Sequence, residues 1–394
     1  PHLGWSILDS LAEGRGGDAF AEIQPLLFAV QIGLAARWRD WGVEPSVVLG
    51  HSMGEVAAAY VARALSLEDA ARVIACRSMR LAELAGRGKM AVLGEDVETA
   101  RQWLQDYPNV GVAGLNGPQS TLVAGDGAEI DALVDKAKSA GLLCRHVRVD
   151  VPSHSPQVAA ITASLRADLS AIEPSTPEIT LISTVTAKPL QEPPGPEYWV
   201  RNAREPVLFY PALQEVLQRR AWLVEVAAHP VLSASMAAAV EQAGRESLVV
   251  ASMRRDEDPP QTLLTGLGRL YCAGSNVSWD SLFPANQGSF VAFPPYPWDC
   301  EPLEPPWQAD AGGEGGVYTP CHVWLTHRFS AAGGEVFWSG SLSLDDWPFL
   351  ADHRVQGAAV LPGAAYLDLA TTAVLEETGL DAVRFSDVRI REAL

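Results

Sequence analysis

Apolar positions between residues 23 and 41 recur every three or four residues: Ile23, Leu26, Leu27, Val30, Leu34 and Trp38. That spacing predicts one amphipathic helix over 23–41. Pro45 interrupts the pattern, and Ser46–Leu49 follows as a short apolar strand. An Ala-rich helix is expected over 53–64. Ser66 with Asp69 three residues on starts another over 67–85, because a hydroxyl and a carboxylate so spaced satisfy the first orphan amides of a helix. The period then alternates: strand 89–93, helix 96–106, strands 110–115 and 120–124, helix 127–140, strand 143–149. This is a βαββαβ unit, the ferredoxin-like order. Helix and strand alternation resumes from 157 to about 250, which makes the first part of the chain an α/β domain.

The pattern breaks between Pro284 and Pro306, which with Pro294, Pro295, Pro297, Pro302 and Pro305 leave no periodic segment. Gln308–Val317 follows, with Gly312, Gly313, Gly315 and Gly316. Such a stretch cannot build a packed element and is expected to be linker. Beyond it the chain turns strand-rich over 322–329 and 335–342, makes a helix over 363–378 and ends in an expected strand over 383–390. No internal repeat of fixed period is present.

Length and charge narrow the function. The 394 residues predict two or three domains at roughly 150 residues each. With 29 Lys+Arg against 48 Asp+Glu, the net charge of −19 disfavours nucleic acid and anionic membrane as partners. A small anionic substrate then needs a local cationic pocket. The cysteines at 76, 144, 272, 300 and 321 are scattered and form no C-x-x-C. They fit reduced thiols in the cytoplasm rather than a disulfide scaffold or a metal site. No apolar stretch is long enough to span a bilayer, and residues 1–20 lack a secretory signal pattern. The chain begins with Pro and stops inside an expected strand, so it is read as a piece of something longer.

Gly50-His51-Ser52-Met53-Gly54 matches G-x-S-x-G between an apolar strand and an Ala-rich helix. Nucleophilic serines need that sharp turn, which lifts the hydroxyl clear of the sheet and aims helix amides at a developing oxyanion. The Met53 N–H is the expected donor. The alternative is a glycine-bounded turn with a passive serine. Ser52 requires a base. His51 should point elsewhere on a tight turn, His146 lies mid-strand, and His2 is at the chain start. His154, in Val151-Pro152-Ser153-His154-Ser155-Pro156, and His229, in Ala228-His229-Pro230, remain. Two prolines stiffen the first loop, which favours His154. Arg77 falls on the apolar stripe Val73, Ile74, Leu81, Leu84 of its helix. A charge facing a core must be paired. Either it meets a buried acid or snorkels outwards, or it is a fork for a substrate carboxylate.

Gly50-His51-Ser52-Met53-Gly54-Glu55 resembles the GHSxGE signature of acyltransferase domains of modular polyketide and fatty acid synthases. Arg77 and His154, 25 and 102 residues after Ser52, match that family's carboxylate-binding arginine and catalytic histidine. Asn202-Ala203-Arg204-Glu205-Pro206-Val207 and Trp222-Leu223-Val224-Glu225 resemble later family segments. Gly268-Arg269-Leu270-Tyr271 and Tyr296-Pro297-Trp298 resemble the linker after such domains. His353-Arg354-Val355-Gln356-Gly357-Ala358-Ala359-Val360-Leu361-Pro362 resembles the HxxxGxxxxP motif of polyketide synthase dehydratases, whose histidine removes an α-proton.

The resemblance implies an acyltransferase domain over 1–250, with a large α/β-hydrolase-like subdomain and a ferredoxin-like one at 88–150. It implies a linker over 251–317 and the N-terminal part of a hot-dog dehydratase over 318–394. It implies catalytic Ser52, His154 and His353, and substrate-binding Arg77, Met53 and Ser153. The expected substrate is a malonyl-type CoA thioester and the partner an acyl carrier protein bearing phosphopantetheine, within the same synthase; no cofactor or metal is expected. The family's first strand and its Gln-bearing oxyanion loop should precede this chain, and the dehydratase acid should follow Leu394. Small Ser153 favours methylmalonyl, and Met53 favours malonyl, so the extender stays open. A serine hydrolase or thioesterase, or an inactive scaffold fragment, remains as the alternative.

Overall fold

The computed structural model describes residues 3–14, 20–283, 320–331 and 333–390. The proline- and glycine-rich stretch Pro284–Val317, with Cys300 and Tyr296-Pro297-Trp298 in it, lies wholly outside them, as does His2. The chain divides into two compact units, Pro1–Val291 and Ala292–Leu394.

The first unit opens with a short helix, Ile7–Ala12, capped by the Ser6 side chain. The long helix Phe20–Asp40 carries Pro25 in its second turn. Proline has no N–H, so the carbonyl four residues back is orphaned. The Ser78 hydroxyl fills that place, donating to the Ala21 carbonyl at 2.9 Å. This bond locks the long helix against Leu67–Ala82 and sets Gln24 beside Arg77. Ser66 caps Leu67–Ala82 as expected, accepting from the Asp69 amide at 3.0 Å. The Ala-rich helix Gly54–Val61 is buried between the two: Val56, Ala59 and Ala62 are sealed from solvent. Small side chains here allow close helix approach around a core that includes Phe28, Ile74, Leu81, Leu165 and Trp199.

Val47–Leu49 pairs in parallel with Thr180–Ile182, and Trp222–Glu225 pairs in parallel with Leu248–Ala251. The two pairs are not hydrogen-bonded to one another. Both border a cleft of about 1180 Å³ lined by Val48, Leu49, Leu223 and Val224 among others. The helix Pro259–Cys272 lies within the stretch read as linker, yet it packs Leu267 and Leu270 against Trp38, Trp41 and Val250.

The βαββαβ unit forms an antiparallel sheet in the order Val110–Gly117, Ser120–Gly125, Lys89–Leu93, Cys144–His146. The helices Val97–Trp103 and Gly127–Ser139 cover one face through Ala100, Ile130, Leu133 and Val134. The last strand is shorter than the expected 143–149. After the Val147 amide reaches the Met90 carbonyl, the Val149 amide turns back to the Val147 carbonyl and the ladder ends.

The second unit holds two hairpins, His327–Ser330 with Val336–Ser339 and Arg354–Val355 with Ala358–Ala359. Gln356 and Gly357 close the latter with φ of +51° and +86°, which a two-residue turn of that hand demands. The helix Gly363–Thr378 matches its expected range. The strands are shorter than the expected 322–329 and 335–342. The strand expected over 383–390 does not form: no ladder partner lies beside it among the described residues, and Phe385, Val388 and Ile390 are exposed. Apolar alternation alone cannot make a strand without a partner for its backbone.

Candidate functional site

Ser52 sits between the strand Val47–Leu49 and the helix Gly54–Val61 with φ +53°, in the left-handed region. A non-glycine residue there costs about 1–2 kcal/mol, so its surroundings must hold it. They do: Thr184 Oγ1 lies 2.8 Å from the Gly50 carbonyl, and Asn202 Nδ2 donates to the Ser52 carbonyl at 3.3 Å. The two glycines of the motif differ. A Cβ on Gly50 would overlap the Glu55 backbone, whereas at Gly54 it would meet only Gln31 Nε2 at 3.5 Å. Close approach therefore explains Gly50 alone.

His154 is also left-handed, with φ +58°, and is only 4% exposed. Its loop is held by more than the two prolines. The His154 amide donates to the Ala203 carbonyl at 3.1 Å, and its Nδ1 lies 2.9 Å from the Glu205 carbonyl. Pro206 ends the helix Pro196–Arg204 and keeps Glu205 extended, which leaves that carbonyl free to accept. A carbonyl cannot donate, so the proton of a neutral His154 is on Nδ1 and the lone pair on Nε2. Nε2 is 2.6 Å from Ser52 Oγ. Burial and the nearby Arg77 charge push the His154 pKa down to about 3.

Arg77 meets neither a buried acid nor solvent. It is 1% exposed; Nη2 donates to Ser52 Oγ at 2.8 Å and Nη1 to Gln24 Oε1 at 2.6 Å. Its Nε has no partner among the described residues. Burial lowers its pKa to about 10, so it remains a cation at neutral pH. A buried guanidinium held by neutral groups has unspent attraction for an anion.

Glu55 lies beneath the turn, fully buried, within hydrogen-bond reach of Thr184, Tyr198 and Asn202. Sequence reasoning gave no role to Glu55, Thr184, Tyr198, Asn202, Gln24 or the Glu205 carbonyl, although Glu55, Asn202 and Glu205 lay in the quoted family-like segments. Only Glu55 carried a signal, being a charged residue on an otherwise apolar helix; Pro25 hinted at an unusual turn around Gln24.

Among the described residues of the first unit, no other histidine hydrogen-bonds to Ser52 Oγ. The His51 Nε2–H donates to Asn116 Oδ1 at 2.7 Å, its ring lies against Phe209, and burial lowers its pKa. His146 is exposed, 3.5 Å from Asp131. His229 Nδ1 accepts the Arg255 amide. Ser153 is buried next to His154, with its amide on the Val151 carbonyl. Met53 is half-buried at the helix start, and its N–H has no acceptor among the described residues. In the second unit, His353 is exposed and its Nδ1 lies 2.7 Å from the Val360 carbonyl, which leaves Nε2 as the acceptor nitrogen of the neutral ring. No cluster of three or more His, Cys, Asp or Glu side chains suited to a metal occurs among the described residues.

The chemical capacity follows from one oxygen. Ser52 Oγ–H donates to an imidazole lone pair while a guanidinium donates to the same oxygen. That arrangement can remove the proton, stabilise the incipient alkoxide and hold an anion beside it.

Residues 1–277 match the acyl transferase domain family, and residues 322–394 match the polyketide synthase dehydratase domain family. The chain is 38% identical over 395 residues to the spectinabilin polyketide synthase system protein NorA' of Streptomyces orinoci, covering 97% of this chain and 11% of that protein. It is 37% identical over 391 residues to erythronolide synthase EryA2 of Saccharopolyspora erythraea, covering 96% and 11%. Among solved structures, the acyltransferase domain from module 8 of the salinomycin polyketide synthase superposes with a TM-score of 0.69 at 39% identity, covering 71% of this chain and 68% of that one. The chain thus spans about a tenth of the length of these two curated relatives.

Proposed function

Because the chain belongs to the acyl transferase domain family of modular polyketide synthases and also carries the start of a dehydratase domain, we propose that it loads a malonyl-type unit from CoA onto an acyl carrier protein through an acyl-Ser52 intermediate. One observation carries the reading: Ser52 Oγ lies 2.6 Å from His154 Nε2 and 2.8 Å from Arg77 Nη2.

The substrate carboxylate displaces Ser52 from Arg77 and takes the guanidinium fork. His154 Nε2 accepts the Ser52 proton as Oγ attacks the thioester carbon. The Met53 N–H faces the oxyanion. The C–S bond breaks, and His154 returns the proton to the departing CoA sulfur. The phosphopantetheine thiol of the carrier protein then gives its proton to His154 and attacks the acyl carbon. The C–Oγ bond breaks and Ser52 regains its proton. CoA is substrate here, and phosphopantetheine belongs to the partner; the reaction calls for no cofactor or metal. Ser153, buried beside His154, is assigned to the acyl pocket, and the unit is malonyl or methylmalonyl. In the second unit His353 is assigned as the base that takes the α-proton of a β-hydroxyacyl thioester, through Nε2. The reducing cytoplasm is the proposed setting, and no helix among the described residues is long and apolar enough to cross a membrane.

The test is intact-mass measurement after incubation with malonyl-CoA or methylmalonyl-CoA. The expected result is one acyl adduct that disappears in Ser52→Ala. An unmodified wild type, or an adduct that survives the substitution, removes the proposal. Hydrolysis of the thioester that outpaces transfer to carrier protein would favour a thioesterase.

A further inference from the structure

We propose that Glu55 is held as the neutral acid beneath the Ser52 turn, a positioning residue that leaves Arg77 the uncompensated cation of the site. The inference rests on the acyl-transfer reading for its purpose, and on proton counting for its substance.

Glu55 is 0% exposed. Its Oε1 accepts the Thr184 N–H at 3.1 Å and the Tyr198 hydroxyl. Its Oε2 accepts Asn202 Nδ2–H at 2.9 Å and lies 2.8 Å from Thr184 Oγ1. Thr184 Oγ1 is also 2.8 Å from the Gly50 carbonyl, which can only accept. A threonine hydroxyl has one proton. If that proton goes to the Gly50 carbonyl, the second short contact needs a proton from Glu55. Placing it on Oε2 completes both: Oε2–H donates to Thr184 Oγ1, and Thr184 Oγ1–H donates to Gly50.

The other end of the network agrees. Tyr198 Oη is 2.7 Å from Ser183 Oγ, which already accepts the Val185 and Thr186 amides. Ser183 therefore donates to Tyr198, and Tyr198 donates to Glu55. Protons then run in one sense from Ser183 through Tyr198, Glu55 and Thr184 to the Gly50 carbonyl, at the base of the turn that strains Ser52. With Glu55 ionised, the single Thr184 hydroxyl proton would face two acceptors at 2.8 Å, Glu55 Oε2 and the Gly50 carbonyl, and one of the two contacts would hold no proton.

The charged surroundings point the same way. Among the described residues Glu55 has no ion pair with any Lys, Arg or His within 4.0 Å. The titratable groups that face it are Tyr198 from the helix Pro196–Arg204 and, at longer range, Arg77 from Leu67–Ala82. Burial raises the Glu55 pKa, with the hydrogen bonds from Tyr198, Thr184 and Asn202 opposing. A neutral Glu55 has a consequence for substrate choice. The empty site carries the Arg77 charge, and the substrate carboxylate neutralises it; an anionic Glu55 would already have done so.

The deciding measurement is infrared spectroscopy of the whole protein without substrate. At pH 7.5, where exposed carboxylates are ionised, a protonated-carboxyl C=O band is expected in the wild type and absent in Glu55→Gln. No such band in the wild type overturns the proposal. Should Glu55→Gln fail to fold, NMR of protein labelled with 13C at the glutamate δ-carbon decides: one resonance must keep the protonated shift from pH 5 to pH 8. Kinetics supply a second readout. In Glu55→Gln, kcat for malonyl-CoA should fall, since the new amide faces Asn202 Nδ2 donor to donor, while KM holds within about twofold. Were Glu55 an anion, its removal would strengthen Arg77 and lower KM by about tenfold or more. The band is read with no substrate present, so its outcome is independent of whether Ser52 is acylated.

Discussion

A base poised far from its ordinary pKa gives the sharpest test of the site. An unperturbed histidine titrates near 6.5, so at pH 5 only about 3% of it would be neutral and able to take the Ser52 proton. With the His154 pKa near 3, the neutral fraction at pH 5 is about 99%. The sign follows from the causes: burial and the Arg77 cation both penalise the protonated ring, so activity lost on acidification is postponed to lower pH. Arg77 Nη2 and His154 Nε2 both touch Ser52 Oγ. Two charges about 5 Å apart at an effective dielectric constant of about 20 interact by about 3 kcal/mol, enough to matter at this scale. The assay is the rate of Ser52 modification by an uncharged sulfonyl fluoride between pH 5 and pH 7.5, read by intact mass. The rate should fall less than about twofold from pH 7 to pH 5, where an ordinary histidine would impose a fall of about 25-fold. With a malonyl-type substrate the bound carboxylate cancels part of the Arg77 charge, so the acid limb should move upwards. An inflection near pH 6.5 with the uncharged reagent would refute the argument.

Two substitutions test the rest of the site. Arg77→Ala should lower kcat/KM for malonyl-CoA by about 10²–10³, the cost of breaking one buried charged pair, and lower that for acetyl-CoA far less; equal losses on both substrates would assign Arg77 to Ser52 or to packing rather than to carboxylate selection. Gly50→Ala should destabilise the first unit by about 3 kcal/mol or more, because its Cβ meets backbone that cannot move aside. Gly54→Ala, with Gln31 Nε2 3.5 Å away, should stay within about 0.5 kcal/mol of wild type by chemical denaturation.

The chain by itself determined what is local. Ser66 and Asp69 fixed a helix start, Gly50 and the Ala-rich run fixed the turn at Ser52, and period switching fixed the βαββαβ unit, because capping, turn chemistry and side-chain period act within a few residues. Sequence also singled out Arg77 as a cation on an apolar stripe and favoured His154 over His229 by the stiffness of its loop. Packing decided the partners. Gln24 and Arg77 are 53 residues apart, and Glu55 and Asn202 are 147 apart. The His154 tautomer depends on the Glu205 carbonyl, a backbone atom that carries no residue-type signal. The apolar alternation at 383–390 shows the converse: a strand pattern forms no strand where, among the described residues, no neighbouring backbone pairs with it. Contacts between distant segments exist only once burial of the apolar faces has brought the helices and strands together, and the charges and lone pairs at Ser52 take their values from that assembly.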